Sequence, residues 1–595
     1  MHSIAIRKYT APLTALLLGL VAACAPAASP PPIMPAATPV PNTPVVPPAD
    51  LVLTGGRIVT VDSARPEAQA IAIAGDRIVA VGSNEEIQAY VGPSTQTINL
   101  EGRLAIPGLI EGHGHFMGLG RAKTILDLTT AQSWDDIVTM VAEAARTAKP
   151  GEWILGRGWH QSKWTQAPTP VVEGNPVHAT LSRVSPNNPV YLTHASGHAA
   201  FANARAMELA GITRATRNPS GGEIVRDRSG NATGLLRETA QGLAGRALEA
   251  YEARRPAAEI QATMRRMAEL AGAESLAKGI TSFHDAGVPF ETIDFYTRLA
   301  DEGQLPVRLY VMVRGASNQV MAEKLPAYRV IGHGNNFLTV RSIKRQVDGA
   351  LGAHGAWLLE PYTDLPRSTG LNLEPVPDIA RTAELAVQHG YQLNVHAIGD
   401  RGNREILDLY QRVFQSNADK RDLRWRIEHA QHLHPADIPR FAQLGVIASM
   451  QGVHATSDGP WVPAKLGSRR TEEGAYMWQK LWSTGALVTN GTDVPVEDIS
   501  PIASFYSSVS RRLPDGSIFL PGQRMTREQA LRSYTINNAY AAFEEDLKGT
   551  LTPGKLADIV VLSRDIMTVP EEQIPGTQVV YTIVGGKVRY QQGSR

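Results

Sequence analysis

One cysteine occurs in 595 residues, so no internal disulfide and no cysteine-rich zinc module can form. Neither sign of charge dominates: 58 Lys and Arg face 57 Asp and Glu, a net charge of +1. That balance argues against a nucleic-acid binder relying on bulk charge. No fixed-period repeat is present, which argues against a solenoid. The apolar run at residues 11–23 falls short of the ~20 residues that span a bilayer. What is present is 43% hydrophobic and 19% charged residues, the composition of a globular protein. The length calls for a large enzyme-like core with satellites, or for several domains.

Arg7 and Lys8 precede the apolar run, the layout of a secretion signal over residues 1–23. It ends in Val21-Ala22-Ala23-Cys24, which resembles the lipobox of bacterial lipoproteins. The resemblance implies cleavage before Cys24 and lipidation of that cysteine; the plainer alternative is a free cysteine after an ordinary signal. From Ala25 to Asp50, ten of 26 residues are proline, so residues 24–50 read as a lipidated cysteine and an extended tether. At ~3.1 Å per residue the tether reaches on the order of 80 Å. Position 25 is Ala and not the Asp that resembles an inner-membrane retention signal. The expected location is therefore the bacterial cell envelope, facing the periplasm, at the outer membrane rather than the inner.

Short runs rich in Val, Ile and Ala at Leu51–Asp62, Ala70–Gly82 and Thr97–Ile106, punctuated by Gly55-Gly56 and Gly75-Asp76, predict a β-module over 51–107. The far end repeats this at Ala557–Leu562 and Val579–Tyr590, so residues 546–595 are expected to complete one β-sandwich with the N-terminal module. Between them, strands alternate with amphipathic helices, as in Ala257–Ala277 before Ile280–Phe283. That alternation predicts an α/β fold: a (β/α)8 TIM barrel over 108–545 with an inserted subdomain at about 150–245.

The segment Pro107-Gly108-Leu109-Ile110-Glu111-Gly112-His113-Gly114-His115 places two histidines two residues apart. On a strand they share a face and can grip one divalent ion, although two half-buried structural histidines fit the same pair. Lys344, His396, His429 and Asp493 each follow an apolar run. Singly each is ordinary; together, in that order and all at expected strand ends, they form a pattern hard to obtain by accident. Substrate contacts are expected from His198, Trp159 (with His160 and Trp164 in an apolar wall) and Asp348, which could instead orient Lys344. His284-Asp285 fits core packing better than a rim, and His432, His434 and His454 are expected outside the metal centre.

Together with GRGWHQSKW at 156–164, NVHAIGDRGN at 394–403, RIEHAQ at 426–431, NGTDVPVEDISP at 490–501 and LKGTLTPGKLADIVVL at 547–562, these motifs are specific. The sequence from Leu51 to Tyr590 resembles the amidohydrolase superfamily, in the branch of N-substituted formamide deformylases (amidohydrolase family 3). The resemblance implies that His113 and His115 hold one metal and His396 and His429 a second. It makes Lys344 a bridge if carbamylated, and Asp493 both ligand and general base. Two zinc ions are the expected cofactor, with one ion, or another divalent metal, left open. The implied reaction is hydrolysis of a non-peptide C–N bond by metal-bound hydroxide; an ester, lactone, cyclic amide or imidazolone is the alternative substrate, and a silent binding lipoprotein the alternative class. Expected partners are a small-molecule amide and the membrane through the lipid anchor alone, without nucleic acid and with room for a homodimer. One departure stands out: Glu111 occupies a position where the family commonly has Asp.

Overall fold

The computed structural model describes residues 47–420 and 422–593. The expected signal peptide, Cys24 and most of the tether lie outside the described residues. Ala49 is buried, and Ala49 and Asp50 donate backbone N–H groups to the carbonyls of Tyr90 and Ile73. The packed body thus begins ahead of Leu51, where the tether was expected to continue.

Eight strands form the centre: β1 (Leu109–Gly114), β2 (Ile280–Val288), β3 (Arg308–Val313), β4 (Leu338–Gln346), β5 (Gln392–Ala397), β6 (Arg426–His429), β7 (Ile447–Gln451) and β8 (Val488–Gly491). Each is hydrogen-bonded in parallel to its successor. All residues of β1, β3, β5, β6, β7 and β8 are buried, as expected for strands covered on both faces. The covering helices show the amphipathic spacing read from the sequence. Val376–His389 buries Ile379, Ala383 and Ala386, starts on a proline-containing first turn and stops at Gly390 in the left-handed region.

β1 and β8 meet without a regular ladder, and side chains close the gap. The Asn538 amide donates to the carbonyls of Ile110 and Asn490, both at 2.8 Å. Glu111 accepts from the Thr492 backbone N–H at 2.7 Å and the Thr492 hydroxyl at 3.0 Å. A Cβ on Gly112 would stand 2.4 Å from the Asn490 carbonyl, so the close approach requires glycine there.

The two chain ends build a four-stranded and a six-stranded sheet around shared apolar residues that include Leu53, Ile73, Ile559 and Ile583. Ile559–Leu562 runs antiparallel to Leu104–Pro107, which leads directly into β1. Between β1 and β2, a further six-stranded sheet runs from Leu126 to Glu238 around its own core, with Trp134, Trp159 and Phe201. It begins earlier than residue 150 because Leu126–Asp127 pairs with Ile154–Trp159.

Candidate metal centre

His113, His115, Lys344, His396, His429 and Asp493 line one cavity of 480 Å³ at the C-terminal ends of the barrel strands. Parallel register produces the convergence: Gln346 of β4 stands beside His396 of β5, and His396 beside Glu428 of β6. Lys344 sits two residues before Gln346 on the same strand face.

Strict alternation would point Glu428 and His429 to opposite faces of β6. Instead, the strand ends at His429 with φ of +79°, a left-handed conformation uncommon for any residue but glycine. Both neighbours then reach the same interior. Glu428 makes a short hydrogen bond to His113 Nδ1, and the His429 ring lies 4.6 Å from the His113 ring. Asp493 has φ of +57°, two residues past β8, and its N–H donates to the His113 carbonyl at 2.7 Å.

Outer partners fix the rings. His429 Nδ1 lies 2.8 Å from Gln451 Oε1, and Gln451 Nε2 donates to the Ser449 carbonyl. The amide is thereby oriented, Nδ1 is the donor, and Nε2 is left facing the cavity. Asp348 accepts the backbone N–H groups of Ile398, Gly399 and Trp357 at 2.8–2.9 Å, securing the turn after His396, whose Nε2 lies 3.5 Å away. Asp348 therefore supports β5 from behind and is not on the cavity wall. Trp159 is also displaced from its expected role. It is buried in the inserted sheet's core, donating to the Leu192 carbonyl, because its strand turns that face inward. His198 does line the cavity, tied through Nδ1 to Glu238 at 2.8 Å.

The centre has the electrostatics of a cation site. Burial, reinforced by neighbouring cationic groups, holds His396 and His429 well below the ordinary imidazole range and lowers His113 to about 4. Neutral imidazoles are the ligand form. Burial alone would raise Asp493, but His115, His113 and His429 outweigh it and keep the carboxylate ionised. Burial, with Arg314 nearby, lowers Lys344 to about 8. Burial also raises Glu111 to about 8 against the hydrogen bonds from Thr492, so this departure from the family pattern serves the β1–β8 seam. Two sets of donor atoms lie within 4.8 Å of one another: His113, His115 and Asp493, and His429, His454 and Asp493. His396 Nε2 is buried without a hydrogen bond, and Asp493 Oδ1 is approached by the candidate ligands His115 and His113 at 3.2 and 3.6 Å, as groups gathered around a cation would be. The residues present fit a divalent ion.

His454 refines the sequence reading, which left it outside the centre. It stands on a short helix, Gly452–Asp458, directly after β7, three residues beyond the strand end. Gln431 Nε2 donates to its Nδ1 at 2.9 Å, so Nε2 carries the proton, is buried without a partner, and makes His454 a hydrogen-bond donor beside the centre rather than a ligand in it. The apolar run Ile447–Met450 ahead of it was the available signal. Arg157, Arg314, Gln346 and Glu238 also line the cavity; none follows a motif that marks it for this chemistry.

An eight-stranded parallel barrel with a histidine–carboxylate cluster at its C-terminal mouth defines a metal-dependent hydrolase. Residues 96–590 match the model of the amidohydrolase family. The chain belongs to that family and is a hydrolase acting on carbon–nitrogen bonds, as the motifs implied. It is 34% identical to Protein LONG AFTER FAR-RED 3 of Arabidopsis thaliana, over 91% of this chain and 92% of the relative. It is 28% identical to N-substituted formamide deformylase of Arthrobacter pascens, over 91% and 98%. Among solved structures, an uncharacterised metal-dependent hydrolase from Pyrococcus furiosus is similar at 26% identity and a TM-score of 0.66, covering 87% of this chain and all of that one.

Proposed function

We propose that the chain hydrolyses a non-peptide C–N bond in a small amide of the N-substituted formamide kind. The observation that carries this reading is the meeting of six side chains from five parts of the sequence around one cavity, with Asp493 Oδ1 drawn between His115 and His113. Similarity to the Arthrobacter deformylase supports the substrate class.

His113, His115, His396, His429 and Asp493 would hold the cation, with zinc suited to imidazole and carboxylate ligands. Lys344 would bridge two ions as a carbamate, its un-ionised amine adding to CO2 and releasing a proton. A divalent ion at this place lowers the pKa of a water to ~7 and polarises a carbonyl. Asp493 takes the proton of the attacking water and passes it to the departing nitrogen as the C–O bond forms and the C–N bond breaks. The His454 Nε2–H would donate to the carbonyl oxygen as charge develops there, and His198, on the cavity wall, would contact the substrate. The same groups would open an ester, lactone or cyclic amide. A silent binding lipoprotein would require a lost ligand, and all six positions are filled. We read the terminal sheets as a β-sandwich and residues 126–252 as the inserted subdomain. We read Cys24 as the lipid anchor of a periplasm-facing protein at the outer membrane.

Metal analysis of purified protein, with turnover of N-substituted formamides, acetamides, esters and lactones, tests the assignment. Bound divalent metal and preferred formamide turnover, lost in Asp493→Asn, are expected; metal-free protein or undiminished turnover in the variant overturns it. For the anchor, Cys24→Ser should release the protein from membranes, and retention there overturns it.

A further inference from the structure

We infer that this cavity takes amides that also carry a carboxylate, held by Arg157 and Arg314. The inference rests on the hydrolase reading above and names the substrate class of that site.

Arg157 comes from the inserted strand Ile154–Trp159 and Arg314 directly follows β3. They reach the same cavity from two different parts of the fold. Among the described residues neither forms an ion pair. Arg157 donates from Nε to the Pro495 carbonyl at 3.3 Å and from Nη2 to the Ala195 carbonyl at 3.0 Å. Arg314 donates from Nη2 to Gln346 Oε1. Other donors of both guanidinium groups remain unspent.

Among the other charges on the wall, Arg121 pairs with Glu252 at 2.9 Å and Glu238 with His198 at 2.8 Å, while Lys344 and Asp493 belong to the metal centre. A divalent ion would add two positive charges to a cavity where Arg157 feels only Asp493, and Arg314 only Glu374 and Asp493, with no salt bridge to either guanidinium group among the described residues. Half-buried cations short of counter-ions are costly; desolvation lowers Arg157 to about 10, opposed only by Asp493. Arg426 and Arg511 are fully buried without carboxylates, but they lie over aromatic rings and do not line this cavity. Among the described residues, Arg157 keeps Nη1, and Arg314 keeps Nε and Nη1, free of hydrogen bonds on the wall of a space of 480 Å³. A planar carboxylate matches such N–H groups with charge-assisted hydrogen bonds. With the carbonyl at the histidine cluster and the acid on the arginines, the substrate is held at both ends.

Calorimetry of the metal-loaded protein with hexanoate, hexanamide and hexyl phosphate tests this. Hexanoate should bind at least about tenfold more tightly than hexanamide. Arg157→Gln and Arg314→Gln should each remove about tenfold of that affinity, with Arg→Lys at the same positions restoring part of it. Unchanged hexanoate affinity in the double Gln variant would place the anion on the metal and overturn the inference, and so would tighter binding of hexyl phosphate. In parallel, N-formylphenylalanine should be hydrolysed in preference to N-formylphenylalaninamide, and the preference should collapse in the Gln variants. Equal rates on the two in the parent protein overturn the carboxylate site and leave the hydrolase reading standing. Hydrolysis of neither overturns the hydrolase reading, while the binding series still decides the anion site.

Discussion

At the N-terminal ends of the barrel strands, charges meet partners supplied by the C-terminal segment; at the C-terminal ends, several polar groups are left open. Arg308 at the start of β3 meets Asp558 of the C-terminal segment through two hydrogen bonds of 2.8 and 3.0 Å, both side chains buried. Lys548 donates to Ser282 near the start of β2 and pairs with Glu544. At the opposite end, His396 Nε2 and His454 Nε2 have no hydrogen-bond partner, Asp493 Oδ1 meets only candidate ligands, and His429 and Asp493 hold left-handed backbone. The terminal sheets lock one end so that the other can carry strained, under-satisfied groups. Stability and chemistry are thus assigned to opposite ends of the same strands.

Substitutions that separate the two ends sharpen this contrast. Asp493→Asn should lower turnover by roughly 10²–10⁴-fold without lowering thermal stability; melting curves beside rates show both, and a destabilised variant would break the division. Asp558→Ala should do the reverse. It strands Arg308 as a buried unpaired cation, costing about 3–5 kcal/mol of stability in denaturant titration, while the protein that stays folded keeps its kcat. A large kcat loss there would mean that the base also tunes the mouth. Glu428→Gln removes the carboxylate that holds His113, and metal affinity should fall by roughly 10–100-fold in competition with a chelator; unaltered affinity would make that contact merely structural.

The smallest effect concerns acid. Burial, with Arg470 nearby, depresses His432 to about 3. The unfolded chain therefore binds the extra proton first, below the ordinary value near 6.5. This contribution to stability is complete above that pH and is lost progressively as the pH falls toward 3. Between pH 7 and 5 the loss should be about 2 kcal/mol, and His432→Leu should remove it. An equally steep acid limb in the variant would point to other groups.

Much of the fold and centre was legible because the signals are local. Apolar runs end at His396, His429 and Asp493, and period-2 spacing joins His113 to His115. Glu428 was hidden because alternation sends it away from His429, and only the left-handed turn at His429 brings both inward. His454 was hidden by its place on a helix beyond its strand, and Trp159 misled because a large aromatic serves a wall and a core equally well.

The sequence by itself determined the strand–helix alternation, the metal-binding residue types and the order in which they occur, since these follow from side-chain chemistry and short-range periodicity. Only the tertiary structure decided which nitrogen each histidine offers, that Glu111 closes the β1–β8 seam, and that Arg157 and Arg314 face the same space. Those facts depend on groups brought together by barrel closure and by the inserted sheet, across separations that no local pattern encodes.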